Sequence, residues 1–162
     1  MISAEGPVFT DPERRFLLGL TERGVRFLVI GMAAAILQGA RGATEDVDLW
    51  FERLDDRRIS EAARAVGGVY ITGSFGMQPP QIGGETLGDR FDVVAHVHGA
   101  RSFEDELAEA LEIDVEGIPL AVLPLRRILE SKRAAGRAKD LARMPALEEA
   151  LAALDDARRP PE

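Results

Sequence analysis

Residues 26–51 read RFLVIGMAAAILQGARGATEDVDLWF, and this stretch limits the possible folds more than any other part of the chain. The apolar run from Phe27 ends at Gly31, which fits a buried strand. MAAAILQG then supplies good helix formers and closes on Gly39, which fits a short helix leaving directly from that strand. Gly31 is therefore expected to be a strand-to-helix elbow. DVDLWF follows as a second strand, whose alternation projects Asp46 and Asp48 to one face while Val47 and Leu49 face the core. Taken alone, the pair fits an ordinary solvent-facing strand side. Two neighbouring carboxylates repel unless cations or hydrogen-bond donors hold them, and oxygen ligands of this kind suit Mg²⁺ or Mn²⁺.

The rest of the chain surrounds these two strands with helices. TDPERRFLLGLTERG offers Thr10 as an N-cap, Pro12 in the first turn and Gly24 as a stop, so it reads as a helix. DDRRISEAARAVGG reads as another, followed by the short strand VYIT. GSFGMQPPQIGGETLGD, rich in glycine and proline, reads as a long loop or bent hairpin, and TGSFG at 72–76 as a flexible loop. RFDVVAHVH alternates as a strand carrying Asp92, Val94, His96 and His98 on one face. His96 would stand about 13 Å from Asp92 along such a strand at ~3.3 Å per residue, too far to share an ion. Both histidines are therefore assigned to a pocket rim or the surface. SFEDELAEAL begins with a Ser-x-x-Asp cap and reads as a helix, and IDVEGIPLAVLP as a hairpin turning at Gly117. From Leu125 onward the pattern is helical, with interruptions expected near Gly136 and Pro145. The late hairpin argues against a strictly parallel doubly wound sheet, so the expected class is α/β (α+β), a mixed central sheet flanked by helices with a helical C-terminal tail.

At 162 residues and 46% hydrophobic content, one domain over 1–162 is expected, with a core at about 24–123 and a tail at 124–155. A formal net charge of −8 argues against a protein that coats duplex nucleic acid, which needs clustered Lys and Arg. There is no cysteine, so disulfides, thiolate catalysis and cysteine-rich zinc sites are excluded, and a cytoplasmic setting is expected. The apolar run Phe27 to Leu37 is far shorter than the ~20 residues of a membrane helix, so no membrane partner is expected.

If RFDVV lies beside DVDLWF, Asp92 completes a three-carboxylate cluster suited to two-metal phosphoryl or nucleotidyl transfer. An elbow lacking a Cβ at Gly31 would let a triphosphate approach the backbone at the start of the following helix. The ordered set VIGMAAAILQGARGATEDVDLW, FDVV and LPLRRILESKRAAGRAKDLARM resembles the nucleotidyltransferase fold of the DNA polymerase beta superfamily, over roughly residues 24–154. Within it, the chain is most similar to small bacterial stand-alone members, including abortive-infection and toxin–antitoxin nucleotidyltransferases. That resemblance implies transfer of a nucleoside monophosphate from a nucleoside triphosphate to a hydroxyl on RNA, protein or a small molecule, with Mg²⁺ or Mn²⁺ as cofactor. It also implies a possible cognate toxin or antitoxin partner. Asp46 and Asp48 match the metal-binding pair, and Asp92 the third carboxylate, which helps deprotonate the acceptor. Gly31 matches the first residue of the phosphate turn, Met32 stands at its second position, and Thr44 matches the threonine before Asp-x-Asp. Lys132 matches the tail lysine near the triphosphate, with Arg137 and Lys139 as further candidates. Met32 replaces the usual Gly or Ser, Gln38 a frequent His, and Arg143 a frequent second Asp. These departures keep a second expectation open, a catalytically weakened nucleotide-binding or antitoxin-like partner of the same fold.

Overall fold

The computed structural model describes residues 8–73 and 78–161. The chain opens with α1 (Asp11–Glu22), whose first turn is closed by a reciprocal cap. The Glu13 amide donates to the Thr10 hydroxyl at 3.3 Å, and the Thr10 amide donates to the Glu13 carboxylate at 3.0 Å. β1 (Phe27–Ile30), α2 (Gly31–Leu37) and β2 (Val47–Phe51) follow, reproducing the strand, elbow and strand expected from the sequence. Next come α3 (Arg57–Arg64), β3 (Val69–Ile71), β4 (Gln81–Gly83) and β5 (Phe91–Val93). The chain closes with α4 (Phe103–Ala108), β6 (Leu111–Val115), β7 (Ile118–Val122), α5 (Leu125–Ala135) and α6 (Ala138–Ala157).

The main sheet is mixed, with strand order β5-β2-β1-β7-β6. β1 runs antiparallel to β2 and parallel to β7, while β2 and β5 are parallel. β3 and β4 form a separate two-stranded antiparallel sheet, so part of GSFGMQPPQIGGETLGD, expected as a long loop or bent hairpin, pairs back onto the VYIT strand; the TGSFG segment lies partly outside the described residues.

β2 alternates as its sequence dictates. Val47, Leu49 and Phe51 are buried, and the fully buried Phe16, Leu17 and Leu20 of α1 belong to the same core. Phe16 meets Phe91 of β5 with ring centroids 5.2 Å apart. Burying each such side chain is worth about 1.5–3 kcal/mol, so this core fixes the register of β2. On the other face, Trp50 packs edge-on against Phe103 of α4 at 5.3 Å. Gln38 ties α2 to the start of α5: its amide nitrogen donates to the carbonyls of Ala34 and Leu123, and its amide oxygen accepts from the Leu125 amide.

Two expectations need correction. The strand RFDVVAHVH stops at Val93, because the chain leaves the sheet edge, turns through Gly99 at φ 68° and docks on α5, where the Arg127 guanidinium donates to the Gly99 carbonyl. The helix also does not break at Pro145; it does break at Gly136, which is left-handed. Pro145 lies on the exposed side of α6 while Met144, Leu147 and Ala150 are buried around it, and that packing holds both halves in line despite the lost amide. No helix among the described residues is long and apolar enough to cross a membrane.

Candidate active site

Sheet register creates the centre of the site. β2 lies between β1 and β5, with Ile30 opposite Asp48 on one side and Asp92 opposite Asp48 on the other. Two carboxylates on neighbouring strands thus stand side by side at one end of the sheet. Gly31, directly after Ile30, has φ +69°, and a Cβ there would lie 2.4 Å from Asp48 Oδ2. Any other residue would be strained by the backbone conformation and would push the Asp48 carboxylate aside, so glycine is favoured here.

The charges are set against each other. Burial, then the neighbouring Asp92, pushes the Asp48 carboxyl up from 3.8 to about 6, with Asp46 adding to the rise and Lys132 and Lys139 opposing it. Asp92 is likewise raised, by burial and then by Asp46 and Asp89. Asp46 is exposed one residue before β2. Thr44 shapes that approach: its hydroxyl donates to the Asp46 carbonyl at 3.1 Å and accepts from the Asp46 amide at 3.4 Å.

A cationic wall faces the carboxylates. Gly136, left-handed at φ 61°, ends α5 just after Lys132, and α6 begins with Arg137 as its cap and Lys139 in its first turn. Asp140 locks this corner. It is fully buried, accepts from Arg137 Nε at 2.6 Å and pairs with Lys132 Nζ at 3.2 Å. Burial alone would raise its pKa, but the hydrogen bonds from Arg137 and Lys132 bring it below the ordinary value. Sequence reasoning misses Asp140. Its signal was the i, i+3 spacing of Arg137 and Asp140 in RAKD, a capping-box spacing with an unusual cap residue.

Two adjoining cavities lie between the acidic strands and this wall. One, of about 340 Å³, is lined by Gly31, Asp48, Asp92, His96, His98, Ser131, Lys132, Arg137 and Lys139. The other, of about 160 Å³, is lined by Met32, Thr44, Asp46, Asp48, Asp92, Lys132, Lys139, Asp140 and Arg143. Every site residue expected from the sequence borders one of the two, and Asp48, Asp92, Lys132 and Lys139 border both. Met32 is only 7% exposed, so its side chain serves mainly the core. His96 and His98 stack edge-on at 5.0 Å on the rim, brought there by the turn after β5 rather than by strand alternation.

The donor set suits a hard divalent cation, since Asp48 and Asp92 are oxygen ligands whose mutual repulsion such a cation would relieve. Among the described residues no three acidic or imidazole groups are gathered as a ready-made metal centre. Asp48 and Asp92 would provide the first ligands, and Asp46 at the mouth would have to turn inward. Chemically, the arrangement sets two lysines and a carboxylate pair around one space, which suits a polyanion accompanied by a divalent cation.

No protein-family model matches the sequence, and no curated protein matches it. Among solved structures, the fold is similar to the crystal structure of ANT(2'')-Ia in complex with adenylyl-2''-tobramycin. The TM-score is 0.58 at 16% identity, covering 88% of this chain and 88% of that one. It is also similar to the solution structure of the antibiotic-resistance factor ANT(2'')-Ia, with TM-score 0.52 at 16% identity over 90% of this chain and 94% of that one. The chain has a nucleotidyltransferase fold.

Proposed function

We propose that this protein is a metal-dependent nucleotidyltransferase that moves a nucleoside monophosphate from a nucleoside triphosphate to a hydroxyl acceptor. The observation that carries the reading is the register pairing of Asp48 with Asp92 opposite Lys132 and Lys139 across one cavity. The lysines and Arg137 hold the β and γ phosphates, and Gly31 leaves room for the triphosphate beside Asp48. Bound Mg²⁺ or Mn²⁺ on Asp48, Asp92 and Asp46 would neutralise charge on the phosphates. Asp92 orients the acceptor hydroxyl and takes its proton. The hydroxyl oxygen bonds to the α-phosphorus, the bond from that phosphorus to the α–β bridging oxygen breaks, and pyrophosphate departs with its electron pair. ANT(2'')-Ia, bound to adenylyl-2''-tobramycin in its crystal structure, supports a small-molecule acceptor by analogy of fold alone.

A second reading is a nucleotide-binding partner protein with weakened catalysis, as in the antitoxin half of a two-gene module. It is favoured by one observation, that the three carboxylates are not drawn into a close cluster. Calorimetry with Mg²⁺ and each triphosphate, followed by pyrophosphate release in wild type, Asp46→Ala and Asp48→Ala, separates the two. Release abolished by both substitutions supports the enzyme; binding without release supports the partner protein; no binding removes both.

A further inference from the structure

A third cavity, of about 540 Å³, also borders Asp92. It lies between β5 and the β3–β4 hairpin, and Asp92 borders it as well as both cavities of the candidate active site. Its walls differ sharply from those of the nucleotide side. Val69, Ile71, Pro79, Pro80 and Ile82 supply apolar surface, and its charged lining residues, among those described, are the carboxylates Asp89 and Asp92. The described residues include four exposed large hydrophobics, and two of them, Val69 at 42% and Ile71 at 57%, stand here.

Three physical arguments narrow the occupant. A triphosphate or an RNA end would carry anions into a cleft that offers them two carboxylates and, among the described lining residues, no lysine or arginine. The volume falls in the range of small-molecule sites, roughly 300–1,000 Å³. Exposed aliphatic side chains gain only from an apolar partner that displaces their water. We infer that this cleft is the acceptor site, and that it takes a small hydroxyl-bearing molecule with an apolar body, presenting its hydroxyl to Asp92 from a cavity that neither Lys132 nor Lys139 lines. The inference rests on the nucleotidyl-transfer reading and selects among its acceptors, excluding RNA.

The test is amide shift mapping by ¹⁵N–¹H NMR on the full chain, with 2-phenylethanol as the hydroxyl probe. In separate titrations the protein receives a short single-stranded RNA with a free 3′ hydroxyl, or an equimolar mixture of ATP, GTP, CTP and UTP with Mg²⁺. The alcohol is expected to move the amides of Ile71, Ile82, Gly83 and Val93, and the triphosphates those of Gly31, Lys132 and Lys139. The exposed substitution Ile71→Asp is expected to weaken the alcohol about tenfold and leave the triphosphate titration unchanged. Alcohol shifts elsewhere or nowhere, or RNA shifts centred on Ile82 and Gly83, overturn the acceptor inference alone. Absence of triphosphate shifts overturns the transfer reading, and the acceptor inference with it.

Discussion

Replacing Asp48 by Asn should stabilise the metal-free protein, which is the reverse of what removing a native interaction normally does. In the folded chain Asp48 is pushed from 3.8 to about 6, first by burial and then by Asp92, so ionising it costs more there than in the unfolded chain. A displacement of that size corresponds to at most about 3 kcal/mol, and we expect Asp48→Asn to recover about 2 kcal/mol at pH 7.5 in EDTA. The sign follows from linkage. A carboxyl with a raised folded pKa causes no loss below 3.8, loses stability as pH rises between 3.8 and about 6, and is constant above. The gap between variant and wild type should therefore open across that window and then level off. Urea denaturation followed by the fluorescence of Trp50, the only tryptophan, reads this on the strand that carries Asp48. Saturating Mg²⁺ should narrow or reverse the gap, because an ion held by Asp48 stabilises only the wild type. A destabilised Asp48→Asn in EDTA, or a gap independent of pH, would refute the reasoning.

Three further substitutions probe the framework around the site. Gly31→Ala should cost about 1–2 kcal/mol from the left-handed backbone alone, and should also displace Asp48, whose Oδ2 lies 2.4 Å from the new Cβ; urea denaturation and Mg²⁺–triphosphate calorimetry should show both losses. Asp140→Ala strips a buried carboxylate from Lys132 and Arg137, and should lower stability by about 3 kcal/mol and weaken triphosphate binding in the same two assays. Glu106, 1% exposed, accepts from Arg101 and Arg127; burial would raise its pKa, but these bonds hold it below the usual 4.5. Its contribution is present above 4.5 and lost as pH falls through the lower folded value, so Glu106→Gln should cost about 3 kcal/mol at pH 7, and progressively less in acid, by urea titration across pH.

What the sequence revealed is what short-range rules govern. The Gly31 elbow, the alternation that turns Asp48 away from Val47 and Leu49 and the Thr10 cap all follow from the properties of a few neighbouring residues, and the fold bears them out. Alternation after Phe91 predicts too long a strand, because alternation alone does not reveal an edge. β5 ends at Val93, and the chain beyond it turns through Gly99 onto α5, a contact made by Arg127, far away in sequence. Pro145 predicts a break because its local effect is real, but packing of Met144 and Leu147 overrides it. Asp140 stayed hidden because its importance lies in burial against Lys132, and burial is a property of the assembled helices rather than of RAKD. The carboxylate pairing of Asp48 with Asp92 was legible only once the two strands were assumed to be neighbours, and β2–β5 register puts the two residues directly opposite.

The most direct test compares α-labelled with γ-labelled nucleoside triphosphates in the presence of Mg²⁺ and a mixture of small hydroxylated compounds. The account predicts that the α label appears in a new acceptor product while the γ label is released in pyrophosphate, and that Asp48→Ala and Asp92→Ala abolish both. Transfer of the γ label to the acceptor, or transfer of the α label that persists in Asp48→Ala, would contradict it.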